Sequence, residues 1–157
     1  MNKKTIKWLI AVAVIYILSA IISKHFLQLM LIQGHSMEPA YHNLQLVVLN
    51  KNFSDSDIKA GKVVAFRCSG VNAVLVKRIA AVPGQSVVIK DATLYVDNVP
   101  SDTYPKGSFN YSGILESPVT LKEDEFIAIG DNTAESIDSR HEKIGIVKRD
   151  SILGIVY

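Results

Sequence analysis

The chain has 157 residues, one domain's worth of material, and its net charge of +2 (17 basic, 15 acidic side chains) offers no basic face of the kind nucleic-acid binding needs. Four of the bases, Lys3, Lys4, Lys7 and Lys24, precede residue 26, where there is no acid, and the remainder is close to neutral with 13 bases and 15 acids. The single cysteine, Cys68, excludes an internal disulfide; with no activating partner evident in the sequence, it reads as a small buried side chain at a strand end.

Residues 8–23 carry no charge and predict a membrane span. Sixteen residues is short, but Lys7 and Lys24 can snorkel, and the stretch between them covers roughly 26 Å at about 1.5 Å per residue. Trp8 falls where an indole ring suits a membrane interface. Three lysines before the span against Lys24 and His25 after it place residues 1–7 in the cytoplasm and residues 26–157 outside. A removable signal peptide also has a basic start and an apolar centre, and Leu18-Ser19-Ala20 would be a poor cleavage site in one. Ile21-Ile22 continue the apolar run past that point, so the expectation is an uncleaved anchor. About 130 residues are then left, enough for one core.

That remainder reads as mostly β. Short β-branched runs at 26–33, 45–49, 62–66, 71–80, 87–89, 93–96, 126–129, 144–147 and 152–156 are broken by Gly, Pro, Asn and Asp. Lys90-Asp91-Ala92 predicts a β-hairpin between two of them. Residues 54–61 predict one short helical turn, and 104–118, rich in Gly, Ser, Pro and Tyr, predict a surface loop.

Three segments carry candidate chemistry. Gly34-His35-Ser36-Met37-Glu38-Pro39 forces a turn after a strand and exposes Ser36, with main-chain N–H groups nearby for an oxyanion. A serine is a weak nucleophile until a base takes its proton. His35 is adjacent and would point to the opposite face of an extended backbone; His25, His42 and His141 belong to no recognisable triad or metal motif, so metal catalysis is not expected. Lys77 shares a strand face with apolar Leu75 and Ile79, where desolvation would lower its pKa toward that of a usable base. Residues 130–140 are too polar for a core strand, and their Asp131 and Asp138 can pair with Arg78 and Arg140. Taken singly, the three also read as an ordinary turn, a strand-edge lysine and a solvated loop.

Together, in this order and behind a span, the segments resemble the bacterial type I signal peptidases, and the likeness covers most of the chain. The resemblance implies a signal-peptidase-type β-fold with one N-terminal transmembrane helix. It implies a serine endopeptidase that removes signal peptides from secretory preproteins after small residues, of the Ala-x-Ala type, with no cofactor. Residue by residue, Ser36 matches the nucleophile and Lys77 the general base. Ser136 matches a serine that hydrogen-bonds and orients that lysine. Asp131, Asp138 and Arg140 match structural ion-pairing positions, with Arg78 the partner of Asp131. Met37 matches a residue lining the cleavage pocket, and Ile32, Ala65 and Val76 are further pocket candidates. Gly34 stands where some members place a hydroxyl in the oxyanion hole, so backbone N–H groups would have to serve. Lys62, Gln85 and Thr133 also depart from the usual residues and bear on substrate preference. The implied setting is the cell membrane, with preproteins, membrane lipid and the secretion translocon as partners.

Rival readings are weaker. Ser56-Asp57-Ile58-Lys59 formally matches the Ser-x-x-Lys of penicillin-recognising enzymes, whose Ser-Asp-Asn and Lys-Thr-Gly are absent. A self-cleaving repressor-type peptidase shares a Ser/Lys pair but would not carry a span. A non-catalytic membrane-anchored assembly factor would not need both Ser36 and Lys77.

Overall fold

The computed structural model describes residues 2–157, with all their side chains except those at positions 22–25. The flanking Lys24 and His25 side chains therefore lie outside the described set. Helix α1 (Lys3–His25) is, among the described residues, the one helix long and apolar enough to cross a membrane, and its side chains up to residue 21 are exposed. It extends beyond the uncharged run at both ends, as snorkelling lysines permit.

One residue separates α1 from β1 (Leu27–Leu31), which pairs antiparallel with β2 (Leu46–Asn50). Then come β3 (Val63–Cys68), β4 (Ala73–Ala81), β5 (Ser86–Lys90), β6 (Thr93–Val96), β7 (Val99–Pro100), β8 (Val119–Thr120), β9 (Glu125–Ile129), β10 (Val147–Lys148) and β11 (Ile152–Val156). Single 3-10 turns occur at Asp55–Asp57, Gly113–Glu116 and Arg149–Ser151. Seven strands form one sheet in the order β1-β2-β11-β3-β4-β9-β10, and four form a second, β7-β6-β5-β8.

The nine-residue β4 links the two cores. Its Ile79 packs with Val64, Phe66 and Phe126 of the large sheet, while Ala80 and Ala81 join the cluster around Val87, Ile89 and Leu94 of the small one. The pairing of β4 with β9 shifts register between Ile79 and Ala81, and such a bulge bends a strand. The hairpin expected at residue 91 is present, closed by Asp91 and Ala92, both at positive φ as a two-residue loop requires.

Two expectations are corrected. Residues 104–118 are not a purely superficial loop: most of them are exposed, but Tyr104, Phe109 and Leu115 are buried in the small-sheet core. Irregular backbone carries its apolar side chains at no fixed period, so composition alone suggested solvent. Of residues 144–147 only Val147 is in a strand; Ile144 and Gly145 both donate backbone hydrogen bonds to His141 O, and Gly145, at φ +61°, sits in that turn.

Leu115 has no exposed surface, so Leu115→Ala should cost about 2–5 kcal/mol, read as a drop in urea midpoint at unchanged m-value. A shift below about 0.5 kcal/mol would contradict its place in the core.

Candidate active site

Ser36 follows β1 by a short turn that depends on Gly34. Gly34 adopts φ +92°, a conformation an L side chain rarely tolerates, and its N–H donates to Asn43 Oδ1 at 2.9 Å. That N–H is therefore committed to holding the turn. The Ser36 N–H, by contrast, makes no hydrogen bond among the described residues.

Lys77 arrives from the middle of β4, across from Val64 of β3. It is 4% exposed, and its Nζ lies 2.6 Å from Ser36 Oγ, to which it donates. Burial pulls its pKa down from 10.5 to about 8, and Arg140 adds to that pull; Asp138 and Asp131 oppose it.

The 130–140 segment forms the wall behind the pair. Gly130 sits where backbone and side chain crowd: a Cβ there would meet Ser136 Oγ at 2.2 Å and the Ser36 carbonyl oxygen at 2.4 Å. Asn132 donates its N–H to Ser36 O at 3.1 Å and its side-chain amide to His35 O at 3.3 Å, tying this wall to the serine turn. Ser136 is buried here, but its Oγ has no hydrogen-bond partner. The expected bond from Ser136 to Lys77 is thus not formed, although the hydroxyl lies in the same pocket of packing against Gly130.

Two ion pairs frame the wall. Arg78 grips Asp131 with Nε at 2.7 Å and Nη2 at 2.6 Å, and its Nη1 donates to Gly61 O at 2.6 Å. Arg140 grips Asp138 with Nε at 2.8 Å and Nη2 at 2.9 Å, both side chains being fully buried. Asp138 also accepts the Gly130 N–H, and Arg140 donates to the carbonyls of Tyr111, Thr133 and Ser136.

In front of the dyad lies a cleft of about 500 Å³. Ile32, Met37 and Val76 line it; Ala65 does not, being fully buried in the apolar cluster beneath them. Two strand edges flank it. β1 pairs only with β2, and residues 73–77 of β4 pair only with β3, because β9 joins β4 from Arg78 onward. Both edges leave backbone groups open to an added strand.

Sequence reasoning missed Asn43, Tyr104 and the role of Asn132. Tyr104 donates its hydroxyl to Ile129 O at 3.1 Å, and burial raises its pKa far above the usual phenol range. Asn132 lay within the Gly-Asp-Asn run and was the one carrying a visible signal; Asn43 and Tyr104 sit in turn-rich segments without pattern. His35 is exposed at the cleft mouth, its Nδ1 2.9 Å from Glu38 Oε1, a hydrogen bond that raises its pKa. Among the described residues no group of His, Cys, Asp or Glu could hold a metal ion.

Comparison with known proteins matches residues 5–157 to the family model described as signal peptidase, peptidase S26. The chain is 28% identical to signal peptidase IB of Staphylococcus aureus (strain COL), covering 99% of this chain and 89% of that protein. It is 30% identical to signal peptidase I T of Bacillus subtilis (strain 168), over 90% of this chain and 78% of that one. A crystal structure of a signal peptidase I from Enterococcus faecalis V583 superposes with a TM-score of 0.50 at 27% identity, covering 63% of this chain and 96% of that one.

Two outcomes follow from the buried charges. Asp138→Asn leaves Arg140 buried beside a neutral partner and should destabilise by about 3–5 kcal/mol, measured by chemical denaturation. For Lys77 the sign is opposite. Its pKa is lower folded than unfolded, so the unfolded chain binds the extra proton and burial costs stability below about pH 8, a cost relieved as pH rises toward 10.5. Lys77→Met should therefore raise stability at pH 7 by up to about 3 kcal/mol, the gain shrinking as the pH approaches 10.5. A pH-independent difference would contradict the shift.

Proposed function

The chain belongs to the S26 family of signal peptidases and removes signal peptides from preproteins, and we propose that it does so by attack of Ser36 Oγ on the scissile carbonyl with Lys77 Nζ as the base. The observation that carries this is the 2.6 Å contact between a serine at the cleft and a buried lysine held near pKa 8. Neutral Lys77 takes the Ser36 proton as the Oγ–carbon bond forms. The Ser36 N–H faces the developing oxyanion. Protonated Lys77 then gives its proton to the leaving amine as the peptide bond breaks, leaving an ester on Ser36. A water deprotonated by Lys77 attacks that ester, and collapse returns Ser36 to its hydroxyl form.

Ser136 is the proposed orienting group for the lysine. Its Oγ is buried without a hydrogen-bond partner among the described residues, which leaves it available for that role. Asp131, Asp138, Arg78 and Arg140 hold the frame. The preprotein lies extended between the edges of β1 and β4, and Ile32, Met37 and Val76 bound shallow apolar subsites that admit small side chains and exclude larger ones.

The helix is the membrane anchor. Its apolar stretch, residues 8–23, spans the bilayer; Lys3, Lys4 and Lys7 keep residues 1–7 in the cytoplasm, and residues 26–157 form the extracytoplasmic catalytic domain. Leu27, Leu29 and Leu31 stand exposed on one face of β1 next to exposed Leu46 of β2, and this face meets lipid at the membrane surface. Preproteins delivered by the secretion translocon would reach the cleft from that side.

Ser36→Ala and Lys77→Ala, each purified in detergent, should lose at least about 10³-fold in cleavage of a model preprotein. Cleavage surviving both changes would sink the mechanism. In the unchanged enzyme kcat/KM should climb through about pH 8 as Lys77 loses its proton and then level off; a steady fall from about pH 6 to 9 would exclude a lysine base.

A further inference from the structure

Glu135 is left unused by the mechanism. It is the one carboxylate among the described residues lining the cleft, it is exposed, and its side chain makes no hydrogen bond or ion pair. Its backbone is fixed nonetheless. Its N–H and that of Ser136 both donate to Asn132 O, and Thr133 and Ser136 on either side are buried. An unmatched negative charge is thus held on an ordered turn at the site of bond cleavage.

The other charges there are already engaged. Lys77 contacts Ser36, and Glu38 is bound by His35, with His42 Nδ1 3.9 Å from the same oxygen. His35 is the cation-forming group that Glu135 faces across the cleft mouth, and Glu135 acts on it only through space.

The cleft also has a direction. Four successive antiparallel pairings run from β1 through β2, β11 and β3 to β4, so β1 and β4 point the same way. Both approach the dyad with their C-terminal ends: Met30 to Ile32 lead to Ser36, and Val74 to Val76 lead to Lys77. The approach is apolar. Apart from Lys77, Glu135 and His35 are the charge-bearing lining groups outside that apolar stretch.

Resting on the reading of this cleft as the peptide site, we propose that Glu135 is a specificity determinant for the mature side of the substrate, selecting preproteins with Lys or Arg within the first few residues after the scissile bond over those with Asp or Glu there. An exposed carboxylate acts through a solvent-screened attraction, so the discrimination is modest and salt-dependent.

The test uses the full chain in a zwitterionic detergent at about pH 8.5, in the range where Lys77 can act as the base. Peptides identical except for Lys or Glu at one of the first three positions after the bond are compared as kcat/KM ratios within each enzyme. The unchanged enzyme should prefer Lys by about two- to fivefold at low salt. The preference should fade near 0.5 M salt, where the screening length is only about 4 Å. It should persist in Glu135→Asp, vanish in Glu135→Gln and invert in Glu135→Lys. A ratio of one in the unchanged enzyme, a preference surviving Glu135→Gln, or charge sensitivity confined to positions before the bond would each overturn the proposal. Failure of the unchanged enzyme to cleave an uncharged sister peptide would instead overturn the peptide-site reading beneath it, so the two failures are distinguishable.

Discussion

The buried pair between Asp138 and Arg140 is the constraint on which the site rests. Taking two charges out of water costs several kcal/mol per ion unless every lone pair and proton finds a partner. Here the carboxylate accepts from the Arg140 guanidinium and from the backbone N–H groups of Gly130 and Arg140, while the guanidinium also reaches three carbonyls and lies over the Phe109 ring. Those partners come from the end of β9, the 130–140 wall and the 104–118 segment, which Tyr104, Phe109 and Leu115 anchor in the core. Satisfying the charges therefore fixes these three pieces together, and Gly130, held by Asp138, is the point against which the Ser36 carbonyl packs.

The same arrangement governs the lysine. Asp131 and Asp138 both raise the Lys77 pKa, and alone they would oppose what burial does. Arg140, bound to Asp138 by two bonds, pulls the other way, and desolvation, the largest influence, prevails. The ion pairs thus fix the polar wall beside Lys77, the proposed base, whose burial lowers its pKa. The protein accepts lower stability at neutral pH for it, a familiar trade where activity needs a strained or desolvated group.

Much of this was legible in the sequence because the informative residues are local. A glycine two positions before a serine, a lysine at the right parity on an apolar strand and an Asp-x-Arg spacing each constrain geometry within a few residues. Parity alone put Lys77 on the face of Leu75 and Ile79. What stayed illegible is what depends on distant partners. Asn43 holding Gly34, Tyr104 reaching Ile129 and Leu115 filling the small-sheet core involve side chains from segments whose composition reads as loop. Ala65 pairs with Val76 and shares its face of the sheet, but it is covered by the cluster beneath the cleft, which no local pattern shows. The unbonded hydroxyl of Ser136 could not have been foreseen from spacing at all.

A single residue joins the helix to β1, and only four residues separate β1 from Ser36. Eleven residues from His25 to Ser36 can reach at most about 36–40 Å, so with the proposed anchor in a bilayer Ser36 works in a thin layer above one leaflet. Signal peptides are themselves apolar and partition into the same layer. Encounter then becomes a search in two dimensions, governed by how many molecules share an area of membrane and how fast they diffuse laterally, and diluting the cell's volume would leave it untouched.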